Sequence, residues 1–382
     1  MKALRRTGLF GSHPGLRSGI SLFVLLLTLA ACDFRPLTET ANVSYVRIYV
    51  DDEILNVTTG FYDDSIREET NGAIDVHLLR PDYQRPEILR VGLFDIDDGT
   101  MVAERYLRNQ GDDDHGHYYD GYIIIEPGTY NLIAYNFGTE SVVVGEEYNC
   151  YDMLAYTNEI APSIKSKLKS RTKTTPETKA GEIIRYDADN LFVSSAERIV
   201  VPRHSRIDTL RNADGQAWFD APSIVKNYYL QIGIVGAEYV ASAACLLTGM
   251  ASSTHLLRPD FEDSQETTLY FELHPGAWPD GYKPGRTDYR CIYTTFGTFG
   301  RLPEIQTKLS VSMEFMTTYG EQVDTTFNVS TEFLTEDAID HQWILPEFTV
   351  KIPDPPDPGP TTGNGLAPSV DEWDEVHSGF DI

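Results

Sequence analysis

Cysteine is scarce in this chain, with four in 382 residues, at Cys32, Cys150, Cys245 and Cys291. No two stand as a CxxC pair, which argues against a disulfide framework, a zinc ribbon or a thiol-redox centre. Cations are few as well: 31 Lys and Arg face 58 Asp and Glu, for a formal net charge of −27. Such a surface repels phosphate backbones, so nucleic acid is not expected as a partner. Long apolar runs are missing, since the longest, Ile20 to Leu29, is too short to span a bilayer as a helix. Helical periodicity is confined to short pieces at Tyr148 to Ile160 and Thr331 to Asp340, which argues against a parallel α/β enzyme. The chain also lacks a GxSxG elbow, an HExxH pair and a dinucleotide fingerprint.

Period-two alternation fills the space these absences leave. In Leu309-Ser310-Val311-Ser312-Met313-Glu314-Phe315 every odd position is apolar and every even one polar, the pattern of a half-buried strand. Val46, Ile48 and Val50 share a face opposite Tyr45, Arg47 and Tyr49. Leu89, Val91 and Leu93 form another such face, as do Tyr228, Leu230, Ile232 and Ile234, and Leu269, Phe271 and Leu273. Turn signals at Asp98-Gly99, Pro127-Gly128 and Tyr319-Gly320 punctuate these runs. The expected fold class is all-β, built from antiparallel β-sandwiches.

The first 31 residues read as a lipoprotein signal peptide. Lys2, Arg5, Arg6 and Arg17 precede the apolar stretch, and Leu29-Ala30-Ala31-Cys32 closes it with two small residues before a cysteine. Cleavage there makes Cys32 the new N-terminus, the lipidation site, acylated on its sulfur and amine. At about 0.8 kcal/mol per buried CH₂, several acyl chains such as palmitate hold a protein on a membrane almost irreversibly. The leader carries four cations and no acid, so the remainder is more negative still. That charge disfavours close contact with anionic lipid and leaves the acyl group as the expected attachment.

A lipidated tether is expected over residues 32–42, then a first sandwich over 43–190 and a second over 191–352. The first contains a basic insertion at 163–182 with Lys165, Lys167, Lys169, Arg171, Lys173 and Lys179, read as a solvated loop. The segment 353–382 begins with Pro353-Asp354-Pro355-Pro356, a stiff spacer, and continues as an acidic tail with Val370, Trp373, Val376 and Phe380 at helix-like spacing.

Candidate sites are sparse. Asp112, Asp114, His115 and His117 are the best metal-ligand candidates, because carboxylates and imidazoles supply hard and borderline donors. No second ligand set accompanies them, so the reading favours a solvated loop tip, with no metal and no cofactor. Asp95 to Gly99 is spaced like a calcium loop, but its glycine falls one position early and position twelve is Tyr106, so a hairpin turn is expected. Gly276 to Lys283 departs from a phosphate loop because Lys does not follow the second Gly directly. Cys245 and Cys291 lie in apolar contexts as buried small hydrophobes. The 22 Tyr and four Trp are expected to pack strands, with stacking on glycan rings as an alternative use.

The lipobox together with Glu126-Pro127-Gly128-Thr129-Tyr130-Asn131-Leu132-Ile133-Ala134-Tyr135-Asn136, Leu246-Leu247-Thr248-Gly249-Met250 and Thr295-Phe296-Gly297-Thr298-Phe299-Gly300 resembles the fimbrillin-related surface lipoproteins of Bacteroidales. The resemblance runs from about Val43 to Ile352. It implies two tandem transthyretin-like sandwiches displayed on the outer membrane. It also implies a non-enzymatic role as a fimbrial (pilus) anchor or accessory subunit, with fimbrial subunits or another surface protein as partners; a surface glycan-binding lipoprotein is the alternative. The proline spacer departs from the alternating C-terminal strand of filament-forming subunits, which points to an anchor or end position.

Overall fold

A computed structural model of the chain describes residues 42–50, 85–168, 183–203, 207–261, 263–277, 290–302, 309–331, 343–344 and 349–356. The leader, Cys32, most of the basic insertion, Gly276 to Lys283 beyond its first two residues, the segment Thr331 to Asp340 beyond its first residue and the acidic tail lie outside the described residues. Among the described residues no helix is long and apolar enough to cross a membrane.

The chain is all-β. Among the described residues its first sheet has eight strands. Four come from the first part of the pattern: β1 (Asn42–Val50), β2 (Ile88–Asp95), β3 (Met101–Asp113) and β4 (Gly116–Ile125). They are joined by β5 (Gly128–Asn136), β9 (Val193–Val201), β10 (Ile207–Thr209) and β11 (Phe219–Ala221). The order is β10-β1-β4-β3-β2-β5-β9, with β11 also on β1. Long neighbours pair antiparallel, whereas β10 and β11 add to β1 in parallel. Contact between β11 and β9 curls the sheet around one core. That core contains Val46, Ile48, Leu89, Val91, Leu93, Tyr119, Leu132 and Phe219. The alternation over β1 therefore does what its period predicts: the apolar face is buried and Tyr45, Arg47 and Tyr49 lie on the other.

A second core lies between two five-stranded sheets. One has the order β16-β17-β12-β20, from β16 (His274–Ala277), β17 (Arg290–Thr298), β12 (Lys226–Val235) and β20 (Trp343–Ile344), with β21 (Thr349–Lys351) also on β12. The other is β19-β18-β13-β15-β8, from β19 (Gln322–Asn328), β18 (Ser310–Thr317), β13 (Val240–Ala251), β15 (Glu266–Glu272) and β8 (Ile184–Tyr186). Leu230, Ile232 and Phe296 of the first meet Cys245, Leu247, Phe271, Val311 and Met313 of the second. This is a sandwich in the strict sense, two apolar faces closed on each other.

A three-stranded sheet, β14-β7-β6, from β14 (Ser253–His255), β7 (Leu154–Thr157) and β6 (Val142–Gly145), caps the outer face of β2 and β5. It buries Phe94, Ile133 and Tyr135 with Met153, Leu191, Leu256 and Phe299. Helix expected over Tyr148 to Ile160 is replaced by turns and β7, whose Ala155 and Thr157 are buried while Leu154 and Tyr156 are half-buried, the two-residue period of a strand. The short helix α1 (Pro162–Lys167) starts with proline at its first turn, where a missing N–H costs nothing.

Hydrogen bonding around the expected division at 190/191 is interleaved. β8 precedes it and pairs with β15 of the sandwich, whereas β9, β10 and β11 follow it and pair within the first sheet. The chain thus crosses between the two cores more than once.

Candidate functional site

The outward face of β1 carries a dense polar network. Tyr45 donates to Asp120 in a short hydrogen bond, and Arg47 Nη2 donates to Tyr45 Oη at 2.9 Å. The Arg47 guanidinium forms ion pairs with Asp113 and Asp120, each at 3.3 Å, and sits 4.4 Å from the centre of the Tyr118 ring. Tyr49 Oη donates to Asp113 at 2.8 Å. Burial, aided by the hydrogen bond to Asp120, pushes the Tyr45 phenol up to about 12, so it remains a donor at neutral pH. A cavity of ≈ 410 Å³ opens beside this network, walled by Tyr49, Asp114, His115 and Trp218. His115 and Trp218 lie edge to face with centroids 5.1 Å apart. The network satisfies itself: one guanidinium is shared by two carboxylates and the phenols are already engaged.

The four metal-ligand candidates do not converge. His117 is buried, with Nδ1 3.0 Å from Asp112 Oδ1, and Arg85 Nη1 is 3.3 Å from the same oxygen and 3.2 Å from the same nitrogen. A cation already occupies that corner. His117 Nε2 has no partner among the described residues. His115 turns away to Trp218, and Asp114 lines the Trp218 cavity. Among the described residues no three His, Cys, Asp or Glu gather as a metal site. The Asp95 to Gly99 segment forms the hairpin turn its spacing suggested, joining β2 to β3 with Gly99 at φ 74°. Asp98 Oδ1 accepts from Thr100 Oγ1 at 2.7 Å and N at 2.9 Å, and these bonds hold its carboxyl below the usual range.

Cys150, Cys245 and Cys291 are all buried, and none of the three is in a disulfide. Burial alone pushes the Cys291 thiol up to about 12, and burial is also the main cause that raises Cys150. Neither supplies a thiolate at neutral pH, as a nucleophile requires. No local signal marks Arg90, whose side chain is 8 % exposed and pairs with Glu104 at 2.9 Å and Glu147 at 2.6 Å. It lies opposite Leu89 and Val91, so alternation predicts a solvated residue. Residues folded over β5 bury it instead.

A cleft of ≈ 830 Å³ opens between the first sheet and the sandwich. Its walls include Arg85, Phe137, Glu140, Asp187, Asp189, Asn190, Asn227 and Thr295 to Gly297. The amides bridge the two sides: Asn227 Nδ2 donates to Asn190 Oδ1 at 2.7 Å, and Asn136 Nδ2 to the Asn190 carbonyl at 3.0 Å. Asp189 accepts from the Ser141 N–H at 2.5 Å, and Asp187 accepts weakly from the Gly297 N–H at 3.4 Å. Asp187 keeps some surface on the cleft, yet protein strips most of its water. That desolvation, with help from the Asp189 charge, pushes its carboxyl up to about 7. These residues come from turns and strand ends far apart in the chain; Asn136 and Thr295 to Gly297 lie in phrases that carry the resemblance, but no motif joins them to Asp187, Asn190 or Asn227.

Residues 80–272 match the family model described as a domain of unknown function, DUF5119. The chain belongs to this family. The DUF5119 match begins before β2 and ends at β15, so it covers most of the curled sheet, the cleft residues from Arg85 to Asn227 and the start of the sandwich. No curated protein matches the DUF5119 chain significantly. Several solved structures are similar to it at low identity. A candidate adhesin from Bacteroides ovatus is 18 % identical with a TM-score of 0.46, covering 85 % of this chain and 94 % of that one. A second candidate adhesin, from Bacteroides thetaiotaomicron, is 11 % identical with a TM-score of 0.43, covering 84 % and 93 %. The fimbrial anchor protein Mfa2 from Porphyromonas gingivalis is 10 % identical with a TM-score of 0.40, covering 81 % and 90 %.

Proposed function

We propose that this DUF5119 chain is a non-enzymatic protein of the bacterial cell surface, held in the outer membrane by acyl chains on Cys32. In this reading it serves as a fimbrial anchor or accessory subunit and accepts an alternating strand from a filament subunit along β19. The observation that carries the reading is the state of that edge. β19 ends its sheet order, and among the described residues it pairs only with β18. Its sequence, Gln322-Val323-Asp324-Thr325-Thr326-Phe327-Asn328, contains no proline or lysine and one charge, Asp324, and its residues alternate between exposed and half-buried. Natural edge strands are normally blunted by such residues or by bulges. The other long edge, β9, is blunted: its pairing with β5 shifts register, Arg198 adopts a left-handed φ of 61°, and Glu197 binds Arg258. An unblunted edge offers backbone donors and acceptors to an added strand. The lipobox at Leu29 to Cys32 supports the membrane end of the reading, and the acidic charge fits a protein exposed outside the cell.

The test uses proline. Along an antiparallel edge, successive N–H groups alternate between the neighbouring strand and open solvent. Of the single variants Asp324→Pro and Thr325→Pro, the one whose N–H faces outward should melt like the parent yet release filaments from the cells that carry it. Filaments that stay attached and unchanged in length with that variant, and with the gene deleted, would refute the reading.

A further inference from the structure

The cleft between the first sheet and the sandwich has the size and composition of a ligand site. At ≈ 830 Å³ it falls within the range of about 300–1,000 Å³ typical of small-molecule pockets. One exposed aromatic lines the cleft and a second packs on the first. Phe137 lines the cleft and is 48 % exposed; Tyr106, 46 % exposed, packs against it at 5.3 Å between centroids. Two adjacent rings beside a polar recess offer an apolar face on which a ligand can stack.

The floor is polar and its hydrogen-bonding capacity is only half used. Asn227 is 3 % exposed, and its Nδ2 is spent on Asn190. Its Oδ1 and the Asn190 Nδ2 make no hydrogen bond among the described residues, and Asp187 accepts only backbone N–H groups there, a long one from Gly297 and its own. A buried amide with idle capacity accepts a hydroxyl in place of water at little cost. The wall charges are Glu87, Glu140, Asp187 and Asp189 against Arg85, so anionic ligands are repelled.

We infer that this cleft binds a neutral oligosaccharide, whose C–H face stacks on Phe137 and Tyr106 while its hydroxyls meet Asn190, Asn227 and Asp187. A pyranose ring combines one apolar face with a rim of groups that both donate and accept, which matches rings above and amides with a carboxyl below. An apolar ligand would strand the amides unpaired. The Trp218 cavity is the weaker candidate, because its tyrosines, arginine and carboxylates are bonded to one another.

The experiment screens the full chain on neutral, sialylated and uronate glycans, followed by calorimetry with cellohexaose, maltohexaose, mannohexaose and 3′-sialyllactose. A neutral oligosaccharide should bind with a Kd below about 1 mM. Phe137→Ala and Tyr106→Ala should each weaken it by about fivefold, the effect of one lost aromatic contact. Tyr122→Ala removes an exposed ring outside the cleft and should change nothing. Absence of binding by every neutral glycan, preference for 3′-sialyllactose, or unaltered affinity in folded Phe137→Ala and Tyr106→Ala variants would each overturn the assignment. Filament attachment plays no part in the readout, so this result is independent of the anchor reading.

Discussion

Gly297 packs directly on the carbonyl of Ala188: a Cβ at position 297 would stand 1.9 Å from that oxygen and 2.9 Å from Val225 Cγ1. The contact is also a hydrogen bond, since the Ala188 N–H donates to the Gly297 carbonyl at 2.9 Å. It ties the segment after β8 to β17 and sets the wall of the cleft. Backbone cannot swing aside as a side chain does, so Gly297→Ala should destabilise the chain by about 3 kcal/mol, the upper range for overpacking. Urea unfolding checks this, and a loss under about 0.5 kcal/mol, the size of an ordinary surface substitution, would show that the segment after β8 moves freely away from β17.

Asp187 should make stability fall as pH rises. Its folded carboxyl is pushed up to about 7 from an ordinary 3.8, chiefly by desolvation. Between those values the folded chain retains a proton that the unfolded chain has lost. The cost is therefore absent below about pH 4, grows through the interval and is complete above about pH 7. Asp187→Asn removes the titration. Its stability relative to the parent should rise between pH 5 and pH 8 by on the order of 1–2 kcal/mol, after discounting for water in the cleft. Melting at both pH values measures it. An advantage that is equal at pH 5 and pH 8 would mean the carboxyl is not buried as described.

The strands were legible because one physical rule decided them. Leu309, Val311, Met313 and Phe315 are all buried, and their period of two was visible without any partner. Faces decided by a second layer were not legible. Arg90, Phe94 and Tyr135 lie on the side of the first sheet that alternation assigns to solvent, and they are buried by β6, β7 and the segments joining them. The parallel additions of β10 and β11 to β1 join residues far apart in sequence, and three-residue strands carry too little pattern to announce themselves. The short helical periodicity of Tyr148 to Ile160 misleads because β7 is held there by its ladders to β6 and β14, partners that local spacing does not reveal. The cleft left no trace because Phe137, Asp187 and Asn227 meet only through the tertiary fold.

Lipidation should depend on Cys32 alone, since only that cysteine follows two small residues after an apolar stretch. The other three are buried inside the folded chain and out of reach of an acylating enzyme. Cys32→Ala should abolish incorporation of labelled fatty acid and move the protein out of the membrane fraction. Label retained on the variant, or an unchanged membrane fraction, would remove the anchor from the reading.

The Asp112 to His117 tip should bind neither calcium nor zinc tightly. Two of its four candidate ligands, Asp112 and His117, already face the Arg85 guanidinium, whose charge opposes a second cation in the same place. The others are committed elsewhere, His115 against Trp218 and Asp114 beside the Trp218 cavity. Arg85→Ala removes the competing charge yet leaves only two donors together, short of the three or four that a zinc site uses. Calorimetry of the parent and of Arg85→Ala should therefore show no stoichiometric binding with a Kd under about 1 µM, the range of dedicated sites. Tight zinc binding that disappears in His117→Ala would mean that the hairpin closes around a metal, and that the ion pair with Arg85 is what the metal displaces.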